Sequence, residues 1–182
     1  MLMQLRAKFQ FFCSHYHFDL FDSLVEWWNE PVDVPPKEEF ERGSFRGGKV
    51  LVFRTLADLN NHRFDVFTAD KHVVPEGVDR VMAYNIDVPS GKITVFSLDE
   101  GQTVEIGQGK YVVYCRAFNI ARELSRNENL TDEQFLQRDD LERYELVFVP
   151  GAINQEGVVF GPPTLEPFYD RRGAERAKWM SE

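Results

Sequence analysis

Apolar and polar residues alternate along much of this chain, and this alternation is the feature that most constrains its fold. In residues 4–13, Leu5, Phe9 and Phe11 fall on one side, while charged and amide side chains fill the other. The same period returns at residues 62–67, 81–88, 93–95, 104–106, 111–115 and 144–148. Residues 49–54 are apolar on both sides, as in a central strand. Because a period of two is that of a half-buried strand, the pattern predicts about seven or eight strands.

Short turns separate these strands. Pro89-Ser90-Gly91 lies between two of them, and glycine also occurs in residues 99–102 and 107–109. Connections of this length join antiparallel neighbours. We therefore predict a mainly β protein, an antiparallel β-sandwich of about seven or eight strands with two or three short peripheral helices.

Three segments favour short helices. Thr131 and Gln134 have the spacing of a capping box, which predicts a helix from residue 130 to about 141. Weaker patterns favour helices at residues 22–29 and 172–180. The prolines of residues 31–36 predict a loop, residues 43–48 a loop leading into the next strand, and residues 150–170 irregular structure.

The length of 182 residues suits one domain with a substantial core. We predict a single domain over residues 1–182, with the core sandwich in about residues 4–150 and a C-terminal extension in about residues 151–182. The two cysteines, Cys13 and Cys115, fall in apolar strand patterns and predict buried thiols in a reducing compartment.

The formal charge of −9 argues against direct binding to nucleic acid, because phosphate recognition needs clustered Lys and Arg. The sequence shows neither a signal-peptide pattern nor an apolar run of the roughly 18 residues that a membrane span needs. We expect a cytoplasmic protein that binds neither nucleic acid nor membrane.

One cluster has the composition of a metal site. His15, His17 and Asp19 would share one face of a strand, and imidazoles with a carboxylate are common zinc or iron ligands. A metal-dependent enzyme or metal-binding sandwich is therefore the alternative hypothesis, although His-x-His is more often structural. The sequence contains no Gly-x-Ser-x-Gly and no phosphate-binding loop. The main prediction is a protein without catalysis and without a cofactor.

Acidic residues cluster in several segments of the chain, and one of these segments contains the adjacent tryptophans Trp27 and Trp28. A solvated helix face is the ordinary explanation of such a cluster. The alternative is a surface that faces the basic cleft of a protein partner, where tryptophan would act as an anchor. On this second interpretation we predict as partner-binding residues Trp27, Trp28, Asp99, Glu100, Asp132, Glu133, Asp139, Asp140 and Glu142. A third hypothesis is a structural or carbohydrate-binding sandwich that uses Trp28 and Tyr114.

Several short motifs between residues 10 and 118 resemble, in order and spacing, the competence protein J family of nuclease inhibitors and related bacterial immunity proteins. They are Tyr16-His-Phe-Asp-Leu-Phe-Asp22, Glu26-Trp27-Trp28, Glu41-Arg42-Gly43, Val50-Leu-Val-Phe53, Ile86-Asp-Val-Pro89, Gly91-Lys-Ile-Thr-Val95 with Ser97, and Gly109-Lys-Tyr-Val-Val113.

This resemblance implies a non-catalytic inhibitor that binds and neutralises a cognate bacterial toxin, possibly a nuclease. The chain departs from the family pattern after Asn119, and immunity surfaces diverge with their toxins. The resemblance therefore implies a toxin or nuclease partner without identifying it, and it assigns no residue to the interface.

Overall fold

The computed structural model describes residues 2–13, 16–30, 35–56, 60–97, 100–121 and 131–169. This part of the chain contains eleven strands. They are β1 (Met3–Cys13), β2 (His17–Asp22), β3 (Ser44–Gly47), β4 (Val50–Arg54), β5 (Asn60–Ala69), β6 (Arg80–Val88), β7 (Lys92–Ser97), β8 (Glu100–Glu105), β9 (Gly109–Phe118), β10 (Arg143–Pro150) and β11 (Gly157–Phe160). The predicted mainly β class is confirmed.

The strands form two sheets. Sheet A has the order β1-β5-β10-β9-β6-β11, and sheet B has the order β3-β4-β2-β7-β8. Alternate residues of both sheets point into one shared core, including Phe18, Phe53, Phe64 and Phe148. The predicted sandwich is therefore confirmed, with more strands than the alternation alone indicated.

One pair of strands departs from the antiparallel expectation. β10 runs parallel to β5, with Arg143 opposite Arg63 and Phe148 opposite Thr68. On its other side β10 is antiparallel to β9. Parallel neighbours need a long connection, and here the whole stretch between Ala69 and Arg143 intervenes. Short turns in a sequence cannot reveal such a pairing.

The described helices are short and peripheral. They include one 3₁₀ turn (Trp27–Asn29) and two α-helices, α1 (Lys37–Arg42) and α2 (Asp132–Gln137), and residues 166–169 are also helical. The capping box of α2 is confirmed, because Thr131 accepts from the Gln134 amide and the Gln134 side chain accepts from the Thr131 amide. The helix predicted for residues 22–29 is reduced to the 3₁₀ turn. The one predicted for residues 172–180 lies outside the described residues.

Residues 43–48, which the sequence analysis assigned to a loop, contain a helix end and a strand. Gly43 ends α1 at a φ of 77°, in the left-handed region, and β3 then pairs with β4. A Cβ on Gly43 would lie 2.5 Å from Leu165 Cδ1, so glycine is needed for both conformation and space.

The segment after β10, predicted as irregular, also contributes a strand, since β11 pairs with the edge of β6. The buried guanidinium of Arg80 fixes the following residues, because it donates to the carbonyls of Pro162 and Pro163 at 3.0 Å and to that of Arg42. No helix in the described residues has the length and apolar character needed to cross a membrane.

Candidate partner-binding surface

Helix α2 presents acidic side chains to solvent from a position fixed against β1. Its apolar anchor is Phe135, which is buried. Two side chains of β1 hold the helix from the strand side: Lys8 donates to the Leu136 carbonyl at 3.2 Å, and Gln10 donates to Asp132 Oδ1 at 2.6 Å. These contacts leave Glu133 exposed on the outer side of the helix.

Two further carboxylates follow the helix. Asp139 accepts from Arg63 Nη1 at 2.7 Å, and Asp140 accepts from Arg138 through both of its oxygens. These hydrogen bonds hold the pKa of Asp139 and of Asp140 below the usual value for aspartate. Both side chains remain exposed, at 76% for Asp139 and 63% for Asp140. They are therefore ionised, oriented and open to a partner.

Glu100 lies at the start of β8, close to the same part of β1. Its Oε2 accepts from the backbone amide of Phe12 at 3.2 Å, two residues along β1 from the side chain that holds Asp132. The structure thus brings Glu100, Asp132, Glu133, Asp139 and Asp140 together around the C-terminal half of β1. We call these five residues the acidic surface. Asp99 lies outside the described residues.

Glu142 does not belong to this surface, and its assignment as a partner-binding residue is wrong. Only 5% of it is exposed. Its Oε1 accepts from Tyr144 Oη at 2.6 Å and from the Leu56 amide at 3.3 Å, and its Oε2 accepts from the Ala121 amide at 3.4 Å. The carboxylate therefore stabilises the core instead of contacting a partner.

The buried imidazole of His62 lies beside this carboxylate, with Nε2 at 3.5 Å from Glu142 Oε1. Burial by itself would lower the pKa of His62, but interactions with Cys13 and Glu142 outweigh it and raise the pKa to about 10. Burial raises the pKa of Glu142, and its hydrogen bond to His62 more than reverses that effect, so its pKa lies below the usual value. The two groups form a buried ion pair.

The sequence analysis missed this cluster, although a signal for it exists. Extending the period-two pattern of β10 back by one step places Glu142 on the same inward side as Tyr144 and Leu146. The same extension in β5 places His62 inward beside Phe64. Polar residues at inward positions of a strand indicate a buried pair.

The two tryptophans lie on a different face of the molecule. Trp27 packs against Phe96 on the outer side of sheet B, with ring centroids 4.9 Å apart, and covers a cluster that includes Phe21 and Val52. Trp28 contacts Trp27 edge-on and is 65% exposed. The acidic surface instead adjoins the outer side of sheet A through Arg63. The predicted partner-binding residues therefore form two separate surfaces.

Two other sequence hypotheses can be compared with this geometry. His17 Nε2 lies 3.9 Å from Asp19 Oδ1, but His15 is outside the described residues, so the three-residue metal site stays a prediction. Among the described residues, no group of three or more His, Cys, Asp or Glu side chains is arranged to hold a metal ion. The ring of Tyr114 is stacked beneath His72 at 3.9 Å and is thus not open for a sugar.

Asp19 is nevertheless in an unusual environment. It lies in the middle of sheet B, opposite Phe96 on one neighbouring strand and Val52 on the other. Burial raises the pKa of its carboxyl group to about 6, and the nearby His17 only partly offsets this effect. Its Oδ1 is buried without a hydrogen-bond partner among the described residues.

Two solved structures share this architecture. The crystal structure of ComJ from Bacillus subtilis, described as an inhibitor of the DNA-degrading activity of NucA, matches with a TM-score of 0.63 and 13% identity. The match covers 83% of this chain and 100% of that one. The product of crocagin biosynthetic gene J matches with a TM-score of 0.56 and 13% identity, over 84% of this chain and 100% of that one.

At these identities the two structures establish the fold and nothing finer. No curated protein sequence matches the chain significantly. The sequence profile of competence protein J (ComJ), however, matches residues 28–149, which is more than half of the chain. The chain therefore belongs to the competence protein J family.

Proposed function

We propose that this chain binds a nuclease and inhibits it, without catalysis of its own. The observation that carries the proposal is family membership over residues 28–149. The ComJ of Bacillus subtilis is described as an inhibitor of the DNA-degrading activity of NucA, and that whole protein superimposes on this fold. Members of one family can bind different partners. We therefore propose a nuclease as the class of partner, and not NucA itself.

The acidic surface supports this proposal through its charge. A nuclease that binds DNA needs a cleft lined with Lys and Arg, because DNA presents a dense row of phosphates. Carboxylates held in fixed positions on an inhibitor can occupy the same cleft, and opposite charges accelerate encounter. Asp139 and Asp140 meet this requirement, because hydrogen bonds orient them while most of each side chain faces solvent.

The Trp28 surface is a second place at which a partner could bind. It combines an exposed aromatic ring with the exposed side chain of Leu24, which is 72% accessible. Exposed tryptophan is enriched at the energetic centres of interfaces. Since Trp28 lies over the outer side of sheet B whereas Asp139 and Asp140 adjoin the outer side of sheet A, a standard interface of roughly 800 Å² per partner would centre on one of the two surfaces. We propose the acidic surface, because a nuclease offers it a complementary charge.

The test is inhibition of DNA degradation by the purified full chain. The first target is any nuclease encoded beside the gene for this chain, and Bacillus subtilis NucA is the second. We expect stoichiometric inhibition of the neighbouring nuclease. Failure to inhibit or to bind either nuclease would contradict the proposed function.

The surface is tested separately with charge variants. The first variant carries Asp132→Asn, Glu133→Gln, Asp139→Asn and Asp140→Asn. The matched control neutralises four exposed carboxylates elsewhere, with the substitutions Glu38→Gln, Glu76→Gln, Asp87→Asn and Glu166→Gln. Both variants change the net charge by the same amount. We expect the first to slow association at least tenfold at low salt and the control to have a much smaller effect.

Two outcomes of this comparison would contradict the acidic surface while leaving the inhibitor function intact. One is equal association rates for the two variants, and the other is loss of inhibition by Trp28→Ala alone. The second outcome would indicate that the interface lies on the outer side of sheet B.

A further inference from the structure

A bulge in β1 turns two apolar side chains away from the core. The pairing of β1 with β5 shifts register between Leu5 and Ala7, which makes Arg6 an extra residue in β1. Without this shift, the alternation along the strand would point Leu5 into the core with Phe11. The extra residue reverses the sides for every position before it, so Met3 and Leu5 point to the outer side of sheet A.

The outer side of sheet A is apolar around these two residues and charged farther along the same strands. Its apolar part is a cluster separate from the shared core, formed by Phe67, Ala69, Tyr114, Val147 and Val149. Phe67 lies opposite Leu5, and Ala69 lies opposite Met3. In the charged part, ion pairs join Arg63 to Asp65 and Arg143 to Glu145. The acidic surface lies over this charged part, since Arg63 also binds Asp139.

The segment that follows β5 extends the apolar part toward solvent. Its His72 ring is stacked on Tyr114, and the buried Arg116 donates to the Val73 carbonyl at 2.7 Å. Arg116 Nη1 also lies 4.0 Å from Met3 Sδ, so Val73 and Met3 are neighbours. Burial, together with the charge of Arg116, lowers the pKa of His72 to about 4. The imidazole is therefore uncharged at neutral pH and adds no charge to this part of the surface.

Five apolar residues are exposed here, each between 41% and 71%. They are Leu2, Met3, Leu5, Val73 and Val74, and we call them the apolar surface. A single exposed apolar residue is ordinary, whereas a contiguous group is typical of a binding surface. The bulge strengthens this interpretation, because it places Met3 and Leu5 in solvent where the sequence period alone would bury them.

The apolar surface and the acidic surface adjoin along β1. Lys8 and Gln10 point to the same outer side as Leu5, and they bind the Leu136 carbonyl and Asp132 of α2. The three steps from Leu5 to Lys8 span only about 10 Å along a strand. A standard interface of roughly 800 Å² per partner is large enough to cover parts of both surfaces.

We propose that the partner nuclease binds the apolar surface together with the acidic surface, with the apolar surface as the desolvated centre of the interface. This inference rests on the proposed function. Interfaces commonly combine an apolar centre with a polar rim, and carboxylates alone would supply only the rim.

The combined chemistry of the two surfaces specifies the occupant, a protein that presents apolar side chains beside Lys and Arg. Nucleic acid and anionic lipid would both be repelled by the carboxylates. A second copy of this chain would bring its own acidic surface toward the first. A nuclease has the required basic cleft, and apolar residues beside that cleft would complete the contact.

The experiment measures the association and dissociation rates of full-chain variants with the nuclease that the wild type inhibits. The test variant carries Leu5→Ser and Val74→Ser. The matched control carries Val159→Ser and Phe160→Ser, two exposed apolar residues of β11 at the opposite edge of sheet A. We expect the test variant to dissociate at least tenfold faster, with an association rate within twofold of wild type. Both rates of the control should stay within twofold.

Unfolding midpoints establish that both variants fold. Equal dissociation rates of the folded test and control variants would overturn the inference and leave the inhibitor function standing. A wild-type chain that neither binds nor inhibits a nuclease would overturn the proposed function and this inference together.

A second measurement locates the contact without any substitution. NMR spectra of the methyl-labelled full chain are compared in the free and nuclease-bound states. We expect intermolecular NOEs from the methyl groups of Leu5, Val73 and Val74 and none from Val159. Sedimentation of the free chain completes the test, and we expect a monomer. A dimer that the test variant dissociates would assign the apolar surface to a second copy and overturn the inference.

Discussion

Tyr144 donates its phenolic hydrogen to Glu142 Oε1 at 2.6 Å, inside the core. The same carboxylate contacts His62 from β5 and accepts from the amides of Leu56 and Ala121. One buried charge thereby connects two strands of sheet A to the loop ends that follow β4 and β9. Burial of an ionised carboxylate is tolerated here because a cation and three donors surround it.

Removal of the Glu142 charge should destabilise the folded chain. We expect Glu142→Gln to lower the free energy of unfolding by about 3 kcal/mol, because the imidazolium of His62 would remain buried without its partner. Urea unfolding at pH 6 measures the change. The control is Asp140→Asn on the exposed surface, which should stay within about 0.5 kcal/mol of wild type. Equal stability of Glu142→Gln and wild type would contradict the ion pair.

The ion pair also predicts a pH profile of stability. The folded pKa of Glu142 is depressed, so its contribution is present above the ordinary value of 4.5 and is lost as the pH falls through the folded pKa. The folded pKa of His62 is raised, so its contribution is complete below 6.5 and is lost as the pH rises toward about 10.

We therefore expect the urea midpoint of the wild type to be highest between about pH 5 and pH 6.5 and to decline on the alkaline side. The double variant His62→Gln with Glu142→Gln should lose most of that alkaline decline. An identical alkaline slope in the double variant would show that another group causes it.

Asp19 should destabilise the folded chain at neutral pH. Its folded pKa of about 6 lies above the ordinary value of 3.8, so the native state binds the proton more tightly, and stability falls as the pH rises between these values. Asp19→Asn should raise the free energy of unfolding at pH 7.5 by about 2 kcal/mol and have little effect at pH 4. Thermal unfolding at the two pH values measures this change in stability, and Asp87→Asn serves as the exposed control. A loss of stability in Asp19→Asn at pH 7.5 would be the contrary result.

Arg80 should hold the segment that follows β11. Its guanidinium donates to the carbonyls of Arg42, Pro162 and Pro163, and burial lowers its pKa to about 10. Arg80→Met would leave these acceptors without a donor, which should cost about 3 kcal/mol. Limited proteolysis should then cleave between residues 157 and 169 before the rest of the chain. Arg46→Met, which breaks an exposed pair with Glu156, is the matched control. Unchanged resistance to cleavage would refute this role.

Most of the fold could be predicted from local pattern, because half-buried strands carry a period of two wherever they lie in the chain. The capping box at Thr131 was predictable for the same reason, since its two partners lie three residues apart. The parallel pairing of β5 with β10 was not, because it depends on packing between distant segments. α1 was missed because its short sequence shows little apolar periodicity and follows a run of prolines.

The candidate site was predicted less well than the fold. Sequence proximity grouped Glu142 with Asp139 and Asp140, but the strand period turns it inward. Trp27 and Trp28 were combined with the acidic residues by residue type, although the two sheets place them on opposite sides. A surface is an assembly of distant segments, so sequence proximity alone does not define it.

The position of β10 between β5 and β9 has a consequence for the order in which the protein assembles. Until residues 143–150 have left the ribosome, β1 with β5 and β6 with β9 form two half-sheets, each with an unpaired inner edge. Such edges are prone to pair with other chains. Completion of sheet A therefore waits for residues 143–150, and a nascent chain that stalls before Arg143 would be a target for chaperones.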